Sequence, residues 1–243
     1  MFRQLLAVMV GVTVAVGAEV VQPTPVLEFK LNEGEGTVVN GTGSAPVKLE
    51  IKNPAMTEWG AGRLGGKALY FKNPVDGKKR GGCGTILGPA AGTMDFTKPF
   101  TVMAWLKLDE TIVTNGPQYS VIGNQAGDYG PGFRLLYSWG TFRLAAGDGK
   151  KGAAIAIVPA KVPLDCKAWN HIAATSDGKT AKLFWNGIEA ASGEMSILPG
   201  KKQWEIGSYG YGYAYGFAGA LSEVKFYQEA LTPEQVLAEA QKE

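Results

Sequence analysis

Histidine and cysteine are nearly absent: the chain holds one histidine, His171, and two cysteines, Cys83 and Cys166. With so few ligands, and with His171 in an apolar run rather than at a ligand spacing, a metal centre built on Cys and His finds no support. An excess of charge of one sign is missing too. Lys and Arg number 24 against 22 Asp and Glu, a net +2, so no long-range field draws the chain to nucleic acid or to an anionic membrane. After residue 18 no uncharged apolar run approaches the roughly 20 residues of a spanning helix, and no membrane span is expected there. Helical periodicity is almost missing between Pro25 and Tyr227, and no Pro- or Ser-rich linker divides the chain. Glycine is what abounds: its 34 residues are about twice the usual share of roughly 7%, as in a chain with many turns.

Arg3, the apolar stretch from Leu5 to Val16 and the small residues Val16-Gly17-Ala18 form the pattern of a secretory signal peptide. The expectation is a signal peptide over residues 1–18 and one domain over 19–243, exported to the extracellular space, cell surface or periplasm. An oxidising destination makes a Cys83–Cys166 disulfide the natural pairing, with two separate buried thiols as the alternative.

Short β-rich runs separated by turn dipeptides fill the middle of the chain. Phe100 to Leu108 reads as a strand with Phe100, Val102, Ala104, Leu106 and Leu108 on one face, and with Met103 and Trp105 on a second covered face. Gly132 to Tyr137 and Thr141 to Ala145 flank Ser138-Trp139-Gly140 as a hairpin, and Asp148-Gly149 turns the chain into Ala153 to Val158. Trp169 to Thr175, Thr180 to Trp185 and Ile188 to Ala191, joined by Asp177-Gly178 and Asn186-Gly187, form a meander whose turns tolerate positive φ. Leu221 to Tyr227 alternates as a last strand. Thr232-Pro233-Glu234-Gln235 then opens a capped helix with Val236, Leu237 and Ala240 on one face. The pattern predicts an all-β, two-sheet antiparallel β-sandwich of jelly-roll type with a short C-terminal helix.

These segments resemble a known family. Phe100 to Lys107, Trp169 to Lys179, Leu183 to Gly187 and Phe217 to Tyr227, together with Asn32-Glu33-Gly34-Glu35-Gly36 and Trp59 to Phe71, are similar to the laminin G-like jelly roll. That is a branch of the concanavalin A-like lectin/glucanase superfamily, and the similarity spans nearly all of residues 25–232. The resemblance implies the fold, but it leaves function open among lectins, glycosidases, lyases and adhesion modules. Some relatives bind calcium. Asn40 and Ser222 stand where many relatives carry aspartate, which weakens a carried-over Ca2+ site, although Asp76, Asp95 and Asp128 in loops offer other oxygens.

A glycan-cleaving enzyme of this fold needs two positioned carboxylates. No alternating carboxylate string exists: Asp109 and Glu110 are adjacent, Glu33 and Glu35 sit in a turn, and Glu223 stands alone. His171 reads as a structural residue among sheet-core neighbours. Gly60-Ala61-Gly62-Arg63-Leu64-Gly65 has dinucleotide-loop spacing but leads into a strand, not a helix, so its glycines are read as turn residues. The segment Tyr209, Tyr211, Tyr213 and Tyr215, each separated by one small residue, can form a sugar-stacking platform or simply a Gly-interrupted strand with two tyrosines inward. Tyr129 and Trp139 are secondary ligand-binding candidates, and the lysine pairs 150–151 and 201–202 read as solvated turns able to meet an acidic polysaccharide. The function expected is an exported noncatalytic recognition module binding carbohydrate through an aromatic loop. The alternatives are a module that binds a cell-surface protein and, behind it, a polysaccharide-cleaving enzyme.

Overall fold

The alternating apolar runs become strands in the computed structural model, which describes residues 20–74, 81–112, 118–127, 129–157, 165 and 167–242. The first half holds β1 (Leu27–Phe29), β2 (Val38–Thr42), β3 (Val47–Lys52), β4 (Thr57–Ala61), β5 (Lys67–Lys72), β6 (Thr85–Leu87), β7 (Phe100–Leu108) and β8 (Tyr119–Gly123). The second holds β9 (Phe133–Ser138), β10 (Thr141–Gly147), β11 (Gly152–Ala156), β12 (Asn170–Ser176), β13 (Thr180–Trp185), β14 (Ile188–Glu194), β15 (Glu205–Ile206) and β16 (Ala218–Tyr227), and the helix α1 (Pro233–Ala240) follows. The expected signal peptide and Cys166 lie outside the described residues, as do Asp76, Asp128 and Val158. Among the described residues no helix is long and apolar enough to cross a membrane.

Every strand ladder is antiparallel. The hydrogen-bonded order is β11-β10-β9-β8-β15-β6-β3-β2-β1-β16-β7-β12-β13-β14, with β5 on β16 and β4 on β5. Because β3 pairs with β2 on one side and β6 on the other, the two halves of this order are joined in one continuous ladder. Its ends meet: β11 lies against β13 and β14, and a Cβ on Gly193 would come within 2.9 Å of the Ile155 side chain. The result is a large, nearly barrel-shaped antiparallel sheet.

Aromatic rings fill the space between the halves. Trp204 touches Phe29 at 5.7 Å and Phe226 at 4.6 Å between centroids, Phe100 meets Phe133 at 5.0 Å, and Phe142 meets Trp185 at 5.1 Å. Each pair joins residues that are distant in sequence, and burying such rings supplies most of the driving force for closure. The outer face of β7, β12, β13 and β16 is also covered, as Met103 implied. Met103, Ala173, Phe184 and Tyr227 form a second cluster with Leu231 and Val236 beside α1.

The helix starts as its sequence dictates: Thr232 accepts from the Gln235 N–H, Gln235 closes the capping box, and Pro233 occupies the first turn. Its buried face differs from the one expected. Val236 and Glu239 are buried while Leu237 is exposed, because Glu239 turns inward to Lys225 at 2.7 Å.

The turns also divide. At Asn186-Gly187 both residues have positive φ, 51° and 81°, whereas Asp177 and Asp148 keep ordinary φ and only the glycines after them turn left-handed. Both aspartates instead accept backbone N–H groups two and three residues on, as Asx turns do. Asn170 and Asn186 lock the meander: Asn186 donates to Asn170 Oδ1 at 2.9 Å and accepts the His171 N–H at 2.8 Å.

Candidate functional site

Strand alternation builds a groove on the outside of β9–β11. Phe133, Leu135 and Tyr137 of β9 enter the core with Phe142 and Leu144 of β10. The intervening Arg134, Leu136, Ser138, Arg143 and Ala145 must then face the other way, and they line a groove of about 350 Å³. The register sets Arg143 opposite Leu136 and Arg134 opposite Ala145, making the arginines diagonal neighbours about 7–8 Å apart along the sheet. Gly152, Ala153 and Ala154 of β11 continue the floor, and their small side chains leave it open.

Two aromatic rings stand over the ends. Trp139 is 60% exposed and Tyr129 64% exposed, although both line the groove. Each sits on left-handed backbone, with φ of 49° and 60°, a conformation that bulky L-residues rarely adopt. Trp139-Gly140 has the same paired positive φ as Asn186-Gly187, so tryptophan occupies the corner where the other hairpin has the favoured asparagine. The Arg143 guanidinium lies 4.9 Å from the Trp139 ring centre. Tyr129 packs so closely over Gly152 that a Cβ there would come within 2.8 Å of its ring.

The tyrosine segment is neither one platform nor a strand. Tyr209 and Ala214 exchange backbone hydrogen bonds of 2.9 Å across a tight turn. Tyr209 and Tyr215 come together, centroids 5.6 Å apart, with the Arg134 guanidinium 4.8 and 5.1 Å from their rings. Of the four, only Tyr215 lines the groove. Tyr211 and Tyr213 are exposed on the turn, with the Lys201 ammonium 4.3 Å from the Tyr211 ring centre. Burial, then the nearby Glu205 charge, push the Tyr211 phenol pKa up.

Glu205, which sequence reading did not single out, holds this turn. Its buried carboxylate accepts the Gly210 and Tyr211 N–H groups, each at 2.8 Å, and the Ser208 hydroxyl at 3.1 Å. Lys201 stands 3.5 Å away. Arg134 and Arg143 were also missed. Their signal was the tripeptide Phe-Arg-Leu on both strands of one hairpin, which places both arginines opposite the core.

Among the described residues lining the groove none is acidic, and the buried Ser138 hydroxyl and Gln125 side-chain oxygen in its walls have no hydrogen-bond partner there. Arg134 donates to Gln118 Oε1.

A second groove, of about 470 Å³, lies beside α1 and contrasts with the first. Carboxylates line it too: Arg63 pairs with Glu223 at 3.0 Å, and Lys225 pairs with Glu239 at 2.7 Å and Glu28 at 3.5 Å. Beneath it Arg63 covers Trp105 at 4.0 Å, and Trp105 meets His171 edge-on at 5.4 Å. Burial lowers the His171 pKa to about 3 despite the attraction of Glu239, with Lys225 and Arg63 adding to the shift. The ring is therefore neutral at physiological pH and packs as a structural residue.

The other singled-out residues also have structural partners. Asn40 donates to Glu33 from its backbone and side chain, Ser222 to the Lys30 carbonyl, and Asp95 accepts from Thr97. Among the described residues no three His, Cys, Asp or Glu side chains cluster as a metal site. In the Gly60–Gly65 segment only Gly65 has positive φ, joined by Leu64. Gly60 and Gly62 instead permit close approach of the Tyr70 ring and the Lys67 carbonyl. Cys83 is buried, and its expected pairing with Cys166 lies outside the described residues.

A family model described as the concanavalin A-like lectin/glucanases superfamily matches residues 81–237. No curated protein matches the chain in sequence. Among solved structures, the binding domain of Paraclostridial mosquitocidal protein 1 is similar with a TM-score of 0.66 at 16% identity, over 89% of this chain and 52% of that one. The botulinum neurotoxin serotype C1 binding domain gives 0.66 at 9% identity, over 89% and 51%. The binding domain of botulinum neurotoxin DC, in complex with SialylT, gives 0.64 at 10%, over 89% and 50%. This chain thus spans about half the length of each, and the likeness is one of fold.

Proposed function

The chain belongs to the concanavalin A-like lectin/glucanase superfamily, and on that premise we propose that it is an exported, noncatalytic recognition module whose ligand is a carbohydrate held in the groove between Tyr129 and Trp139. We read the two halves of its ladder as the two layers of a jelly roll. The observation that carries the function is the placement of two large, solvent-exposed rings on left-handed backbone at the ends of a groove floored by alanine and glycine. Strained backbone of this kind persists where surrounding structure holds it and gathers at ligand sites. Flat rings spaced along an open floor suit the apolar faces of sugars, and the Ser138 and Gln125 oxygens add polar groups to the walls. The described lining supplies no carboxylate, which favours recognition over hydrolysis by a pair of carboxylates. Export rests on the leader pattern of residues 1–18. That similar folds serve as binding domains in toxins supports a binding role.

A second reading has its own observation. The exposed Tyr211 and Tyr213, on a turn anchored by Glu205, suit a protein partner, because rigid tyrosines supply contact area at low entropic cost. Retention of the purified protein on a panel of soluble and insoluble polysaccharides, with calcium and with chelator, separates the two. Saturable retention lost in Trp139→Ala and Tyr129→Ala supports the groove, and its loss in chelator would restore a calcium site. Absence of retention under both conditions transfers the role to a protein partner.

A further inference from the structure

We infer that the ligand of this groove is an acidic saccharide, one bearing carboxylate or sulfate groups, with Arg143 as the group that reads the anion. The inference rests on the carbohydrate reading above and adds the charge of the ligand.

The Arg143 guanidinium lines the groove, and no acidic residue among those described does. Arg143 makes no ion pair among the described residues. Its one side-chain hydrogen bond there is a long one, from Nε to the Ser138 carbonyl at 3.5 Å. The Trp139 ring lies beside the guanidinium and limits its freedom, so the planar fork is partly pre-organised before any ligand arrives. A neutral sugar seated against Trp139 would strip water from this cation and return no charge, which is unfavourable. A carboxylate or sulfate answers the guanidinium with parallel charge-assisted hydrogen bonds. Arg134 also lines the groove but is buried and held among Tyr209, Tyr215 and Gln118. The groove beside α1 differs in being lined by carboxylates as well as cations, and there Arg63 and Lys225 each have a carboxylate partner.

The test compares polygalacturonate with its carboxyl-reduced form, and dextran sulfate with dextran, as immobilised polymers for the purified full-length protein. The expected result is retention of the acidic member about tenfold or more above its neutral partner, weakening as salt is raised. Retention of both acidic polymers identifies the shared anion as what is read, and retention of polygalacturonate alone narrows it to a ring carboxylate. Arg143→Gln should abolish most of the preference, while a Lys150→Gln/Lys151→Gln variant should keep it. Competition on the unaltered protein by free galacturonate but not galactose gives the same answer without any variant. Equal retention of acidic and neutral polymers, or full preference in a folded Arg143→Gln protein, overturns the inference and leaves the carbohydrate reading intact. Failure to retain any polysaccharide, with or without capture by phosphatidylserine vesicles, overturns both.

Discussion

Replacing Trp139 by asparagine separates ligand binding from stability, because the two are expected to move in opposite directions. Trp139 is the first residue of a two-residue hairpin turn with φ of 49°, followed by Gly140 at 75°. Left-handed backbone costs an ordinary L-residue about 1–2 kcal/mol, and asparagine is among the few that adopt it readily. The substitution should recover about 1 kcal/mol of that strain. It forfeits the contact with Arg143, 4.9 Å from the ring centre, worth about 0.5–1 kcal/mol at an exposed site. Little buried area is lost, since the ring is 60% exposed. The balance runs from neutral to about 1 kcal/mol stabilising, or a Tm unchanged to about 2–4 °C higher in a chain of this size. Polysaccharide retention should meanwhile fall about tenfold or more, as expected for removal of an anchoring aromatic. Circular-dichroism melting and affinity electrophoresis on the same preparations read both quantities. A Tm lowered by several degrees would show that the ring is a structural element after all, and undiminished retention would remove it from the binding site. The reciprocal Asn186→Trp change is an internal control. It should destabilise by about 2 kcal/mol or more, because Asn186 holds Asn170 and the His171 N–H.

Three other outcomes follow from the geometry. Glu205→Gln presents an amide N–H to the Gly210 or Tyr211 N–H that the carboxylate now accepts, and it leaves Lys201 without its charge partner. A loss of about 2–4 kcal/mol in denaturant unfolding is expected, and a loss under about 0.5 kcal/mol would show that the turn is held by other means. His171 binds its proton far less readily folded than unfolded, so protons favour the unfolded chain as pH falls below about 6.5, by up to about 1.4 kcal/mol per pH unit. A folded His171→Gln protein should lack this limb between about pH 6.5 and 4.5, and an unchanged profile would refute the assignment. Below that range the loss of the depressed Glu239 carboxylate adds to the fall. A Tyr211→Ala/Tyr213→Ala protein should keep its groove binding, since neither ring lines the groove. Loss of polysaccharide retention in isothermal titration would move the site onto the turn.

Many of the strands, the hairpin connections and the helix cap were legible because each depends on neighbours close in sequence. Alternation over Phe100–Leu108 predicted both covered faces, Asn186-Gly187 predicted a left-handed hairpin corner, and Thr232 to Gln235 predicted a capping box that the structure contains. The aromatic ligand candidates were recognised one by one, but their grouping was not. Trp139, Tyr129 and Tyr215 meet only because β8, β9, β10 and β11 are adjacent and Tyr215 returns to Ser120 of β8. The reading of Leu237 as a buried helix position gave way to Glu239 because a lysine from β16 happens to wait beneath it.

By itself, then, the order of residues determined the all-β class, several of the strands and the Asn186-Gly187 corner, since periodicity and turn chemistry act over a few residues, and its motifs carried the resemblance to the family. Only the tertiary structure decided which rings share a groove, that Arg143 lines it without an ion pair among the described residues, and that Glu205 anchors the tyrosine turn. Those facts depend on contacts between strands far apart in the chain, and on which charges find partners once the sheet has closed.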